Sequence, residues 1–122
     1  MKTIIKTTGF MLLLVAVLQS CTKDNVNEYN TLDNCTDTVS FAAKIQPLIL
    51  QNCATSGCHD ATTQESGYDL TNHTNISANA NIILSTMRWE NGVVQMPYNL
   101  SQLPDSLIQQ FSCWVKQGKL DN

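Results

Sequence analysis

Cys53-Ala54-Thr55-Ser56-Gly57-Cys58-His59 sets two thiols on a short loop and places an imidazole directly after the second. That arrangement suits covalent attachment of a haem. Each thiol can add across one vinyl group of the porphyrin, and the adjacent histidine is then held where a ring nitrogen binds iron. The common attachment loop has two residues between its cysteines; this one has four. The same sulfurs could instead form a disulfide or a zinc knuckle. A zinc site would draw on Cys53, Cys58, His59 and His73. However, neighbouring Cys58 and His59 are an awkward start to a tetrahedron, and the usual paired knuckles are missing.

Met96 is the candidate for the other side of the iron. An electron-transfer haem needs a second axial ligand that keeps oxygen and peroxide away. A thioether is neutral and soft, so it favours reduced iron and raises the potential. Met96 lies 37 positions after His59, far enough for the chain to pass round a porphyrin edge, and Pro97 biases it toward extended backbone. The competing role is core filler, which is how Met87 reads beside Ile83 and Leu84. His73 is an alternative sixth ligand, although an exposed histidine is the commoner role. Arg88, Trp89 and Tyr98 carry donors that could meet haem propionates, or could simply be a solvated cation and packing aromatics.

The elements that must position these groups begin after a leader. Met1 to Ser20 has a basic start (Lys2, Lys6) and an apolar run from Phe10 to Leu18. These are the two parts of a secretory signal, too short for an ordinary membrane span. It ends in Leu18-Gln19-Ser20-Cys21, which resembles a bacterial lipobox, so residues 1–20 are expected to be cleaved and Cys21 acylated. A plain signal peptide or an uncleaved anchor is the alternative. Residues 21–34 are polar and aperiodic and read as a flexible tether. Residues 35–122 remain as one small domain, near the size where a protein-only core is marginal and a covalently held porphyrin would supply apolar bulk.

Five cysteines then divide without remainder. Cys21 takes lipid and Cys53 with Cys58 take haem, leaving Cys35 and Cys113. An exported chain sits in an oxidising compartment, so these two are expected to pair, with two free thiols as the alternative. The leader carries two of the seven basic residues and none of the ten acidic ones, so the mature chain has five against ten and a net charge of −5. An acidic surface argues against nucleic acid and against anionic lipid as a partner. It favours redox proteins that present a basic face.

The domain reads as all-helical. Ser40 caps a helix reaching about Asn52, with Phe41, Ile45, Leu48, Ile49 and Asn52 near one face. Pro47 either kinks it or starts a second segment. Residues 60–70 read as loop, Thr71 as the cap of a short helix to Ala78, and Ala80 to Trp89 as another. Asn91-Gly92 signals a turn. In the last helix Pro104 suits the first turn, Asp105 favours the positive end, and Gly118 stops it near Lys116 and Lys119. Its apolar stripe is Leu107, Ile108, Phe111, Trp114 and Val115; Cys113 lies off the stripe, able to reach another segment.

In this order of parts the chain resembles a single-haem class I cytochrome c. The phrases Phe41-Ala-Ala-Lys-Ile-Gln-Pro-Leu-Ile-Leu-Gln-Asn-Cys53, Cys58-His59-Asp60, Met96-Pro97 and Cys113-Trp114-Val115-Lys116-Gln117-Gly118 are similar to short haem lipoproteins of Bacteroidetes-type bacteria. The resemblance spans about residues 35–120. It implies an all-α, cytochrome c-like domain wrapped around one covalent haem c, with first and last helices crossing beside it. It also implies His59 as fifth ligand and Met96 as sixth. The four-residue spacer is the departure.

The expected protein is therefore an exported electron carrier and not an enzyme. Lipid would hold it to a bacterial membrane, on the periplasmic side or at the cell surface. Two other readings remain. One is a haem-based sensor or peroxidase-like enzyme with an open sixth position. The other is a haem-free binding lipoprotein braced by Cys53–Cys58 and Cys35–Cys113.

Overall fold

A computed structural model describes residues 35–122. The leader, Cys21 and the tether to residue 34 lie outside the described residues. Among those described, every regular element is helical and there is no strand. The expected all-α class therefore holds at this level.

The first element widens just ahead of its proline. Ser40 is extended (φ −76°, ψ 131°) and its Oγ accepts the Ala43 amide at 3.2 Å, as an N-cap should. Phe41–Ile45 then forms a π-helical turn, in which the Ile45 amide reaches back five residues to the Ser40 carbonyl. Helix α1, Gln46–Asn52, follows with Pro47 in its first turn. Pro47 has no amide to donate and its ring would press on the carbonyl four residues back. The widened turn before it relieves that clash. The backbone stays right-handed helical through Ile45 and Gln46, so the chain runs on as one helix that is widened just before Pro47. Phe41, Ile45, Leu48 and Ile49 are buried along one face.

Helix α2, His73–Ala78, is capped by Asn72, whose Oδ1 accepts the Asn75 amide at 3.0 Å. This corrects the assignment of the cap to Thr71. Asp69 Oδ1 takes both the Thr71 amide (3.0 Å) and its hydroxyl (2.6 Å), so that hydroxyl is engaged upstream. Helix α3, Ala80–Met87, ends short of the expected Trp89. Trp89 adopts a left-handed backbone (φ 57°), which turns the chain out of the helix. The turn expected at Asn91-Gly92 is present, with Gly92 at φ 87°.

Helix α4, Asp105–Lys116, begins one residue after Pro104, which occupies the cap position, and Gly118 (φ 94°) leaves it in the left-handed region. Ile108, Phe111 and Trp114 are buried against Phe41, Ile45, Leu48 and Ile49 of the first segments and Ile76, Ile83 and Met87 of α2 and α3. At about 1.5–3 kcal/mol for each fully buried large side chain, this cluster is the main source of stability. The tail folds back on the start of the domain. Phe41 donates its amide to Asn122 Oδ1 and Ala42 to the Asn122 carbonyl (2.8 and 2.9 Å), so the tail supplies acceptors to the first turn. Cys35 and Cys113 form a disulfide across a separation of 78 residues.

Candidate functional site

The Cys53–His59 loop hangs from the C-terminal end of α1. Cys53 and Ala54 both donate to the Ile49 carbonyl (2.8 and 2.9 Å), closing the helix. The chain then doubles back. Cys58 donates to the Thr55 carbonyl at 3.0 Å, and the His59 amide reaches the Cys53 carbonyl at 3.2 Å. The downstream side is tied as well, by Glu65 to the Cys58 carbonyl and by Leu70 to the His59 carbonyl, both at 2.9 Å. Backbone pairing thus brings the two cysteines and the histidine together.

Asp60 organises the next turn. Its Oδ1 accepts the Thr62 and Thr63 amides (2.8 and 3.0 Å), and its Oδ2 accepts the Gly57 amide (3.0 Å). These bonds, those from Thr63 foremost, pull its carboxyl down to about 2, so it is ionised at neutral pH. The stretch 60–70 is loop as expected, with a tight turn at Glu65–Gly67 in which Gln64, Ser66 and Gly67 have left-handed backbone.

The two thiols differ. Cys53 is half-buried and packs on the hydrophobic core, and burial, with Cys58 nearby as a lesser cause, pushes its thiol up to about 12. Cys58 is exposed, and both sulfurs are free. The Cys53–Cys58 bridge of the haem-free reading is therefore absent here. A direct consequence is an order of reactivity. With a limiting vinyl reagent such as 4-vinylpyridine, Cys58 of the haem-free chain should be modified at least about tenfold faster than Cys53. Peptide mapping reads the rates, and equal labelling would refute the asymmetry.

His59 is half-buried, with its ring edge toward Tyr68 at a centroid distance of 6.1 Å. Its Nδ1 is the one buried side-chain nitrogen or oxygen, among the described residues, with no hydrogen-bond partner. Such orphans are costly, of order 1–3 kcal/mol, and call for a reason. An imidazole held beside two free thiols fits the donor set of a covalently attached haem.

Met96 is half-buried on the loop after α3. Its amide donates to the Thr86 carbonyl at 3.2 Å, and its own carbonyl accepts the Trp89 indole N–H at 3.0 Å. The Met96–Pro97 peptide is cis. No hydrogen bond joins Met96 to the Cys53–His59 loop among the described residues. The segment around it carries Val94, Tyr98 and Leu100, which are 56%, 67% and 69% exposed. Trp89, Pro97, Tyr98 and Leu100 line part of a cavity of about 220 Å³.

Of the remaining sequence candidates, His73 and Arg88 are engaged elsewhere. His73, expected to be exposed, is half-buried. Its Nε2 pairs with the Lys119 carbonyl at 2.9 Å, and its ring stands edge-on to Phe41 and Trp114. Among the described residues no three His, Cys, Asp or Glu side chains gather into a metal site. Arg88 donates to Ser112 Oγ at 2.9 Å and lies 3.9 Å from Glu90. Trp89 serves the Met96 carbonyl, and Tyr98 is exposed. Sequence reasoning missed Trp89 as the support of the Met96 loop. Asp60 caps the turn that follows His59, as an aspartate at that place can, and its second oxygen also takes the Gly57 amide, which no local signal marked.

Compared with protein-family models, with curated proteins and with solved structures, the chain matches none. No described helix is long and apolar enough to cross a membrane.

Proposed function

We propose that this chain is a lipid-anchored electron-transfer protein carrying one covalently attached haem c. One observation carries the reading. The Cys53, Cys58 and His59 groups stand together with both thiols free, although Cys35 and Cys113 are joined, and His59 Nδ1 is buried without a partner. Cys53 and Cys58 would hold the porphyrin, and His59 and Met96 would ligate its iron.

Bound haem would supply reversible one-electron chemistry between ferrous and ferric iron. The chain's own part is positioning and exclusion. The backbone bonds at Cys58 and His59 fix the imidazole's attachment point, and Thr86 and Trp89 fix the backbone of Met96. Leu70, buried in the core and donating its amide to the His59 carbonyl, ties the histidine's backbone to the packed interior. Acylation at Cys21 and the 21–34 tether would hold the domain near a membrane, raising its effective concentration at membrane-bound partners. The net charge of −5 for the chain from Cys21 onward favours partners with a basic face.

The test is the full chain produced in a bacterium able to attach haem c. Haem staining after denaturing electrophoresis and an intact mass one haem above the polypeptide are expected. A colourless chain with both loop thiols free would overturn the reading. Met96→Ala should keep the covalent haem and lose the methionine–iron charge-transfer band of the oxidised protein. An unchanged spectrum would remove Met96 as a ligand and leave the sixth position to another group.

A further inference from the structure

We propose that Asp60, acting through Gly57, is a positioning residue that folds the four-residue spacer so that both cysteines can be used together. This inference rests on the haem-attachment reading and assigns how this particular loop meets it.

Two more residues than the common loop would let Cys53 and Cys58 drift relative to each other. The structure takes up the extra length in a turn. Cys58 closes on the Thr55 carbonyl at 3.0 Å, and Gly57 enters the left-handed region at φ 84°. Glycine does so without the steric cost other residues meet. The Gly57 amide, turned outward from this bend, is caught by Asp60 Oδ2 at 3.0 Å. The other carboxylate oxygen accepts the Thr62 and Thr63 amides, so the side chain is held in one orientation as it takes the Gly57 amide. With the bend closed, the His59 amide meets the Cys53 carbonyl at 3.2 Å, bridging the entire motif. Asp60 therefore acts on the thiols and the imidazole without touching them.

The attachment it serves is a double addition. At each site the sulfur bonds one vinyl carbon and the thiol hydrogen passes to the neighbouring carbon, with no oxidant or reductant consumed. Two additions to one porphyrin demand that the sulfurs keep a set relation, and a single addition does not.

Asp60→Asn tests this, because an amide has one acceptor oxygen and keeps only one side of the clamp. In the haem-free full chain, amide exchange at Gly57 and His59 should quicken about tenfold, the factor expected for one charge-assisted hydrogen bond. In a haem-attaching host, the ratio of doubly to singly attached chains should fall about tenfold, read by counting thiols left open to a maleimide after denaturation. Gly57→Ala should act alike, because a Cβ there meets nothing within 4 Å and only the backbone conformation is challenged. Deleting Ser56 and Gly57 leaves a two-residue spacer, and in that background Asp60→Asn should be silent. A general stabilising role would persist there, so equal sensitivity in the shortened loop would overturn the proposal. Unchanged exchange at Gly57 and His59 in Asp60→Asn would overturn it too. A wild-type chain that takes up no haem would instead sink the attachment reading, and with it the service assigned to the clamp.

Discussion

Replacing both Cys35 and Cys113 with serine should lower the unfolding free energy by about 4 kcal/mol. The bridge joins positions 78 apart, so in the chain-entropy account its loss frees a long loop in the unfolded ensemble. Cys113 is buried on α4 and Cys35 precedes the first helix, so the bond closes the beginning of the domain on its end. Polar contacts repeat the same closure. Gln117 accepts the Val39 amide and donates to the Asp37 carbonyl, both at 2.8 Å, and Asn122 accepts from Phe41 and Ala42. These keep the native fold intact in the variant, so the change should appear as a lowered urea midpoint with helix content retained at zero denaturant. Small domains have about 5–15 kcal/mol in all, so the effect is large. Wild-type chain with added reductant should follow the variant. Coincident midpoints for oxidised and reduced protein would show that the bridge stabilises nothing.

Trp114→Ala should cost about 3–5 kcal/mol, the usual range for emptying a large aromatic site in a core. Trp114 is fully buried on α4 and meets Phe41, Phe111 and His73 at centroid distances of 5.6, 5.4 and 5.9 Å. Its indole N–H donates to the Leu120 carbonyl at 2.9 Å. One side chain therefore holds the crossing of the first and last helical segments and the returning tail. Trp114→Phe keeps much of the apolar volume and loses the hydrogen bond, and should cost about 1–2 kcal/mol. Denaturant unfolding with the disulfide intact gives both numbers. A loss under 1 kcal/mol for Trp114→Ala would mean that the crossing is held elsewhere.

Much of the candidate site was legible because its signals are local. A cysteine pair with a following histidine, a methionine before a proline, and an aspartate directly after that histidine each act over a few residues. The partners that complete the site were not. Trp89 reads as a packing aromatic until the loop after α3 is seen to return its Met96 carbonyl to the indole. His73 reads as an exposed side chain until the tail brings the Lys119 carbonyl and the ring of Trp114 beside it. Thr71 and Asn72 are both capable caps, and the choice fell to Asn72 because Asp69 had already engaged the Thr71 hydroxyl.

By itself the amino-acid order determined the helical class, the turn at Gly92, the stop at Gly118 and the apolar face of α4. Those outcomes depend on backbone geometry and side-chain periodicity within a turn or two. Tertiary structure alone decided that the tail supplies the first helix with acceptors, that Cys53 is shielded while Cys58 is open, and that His59 Nδ1 is buried without a partner. Burial and long-range pairing follow from how the helices cross, and no spacing along the chain encodes which distant groups a crossing will bring together.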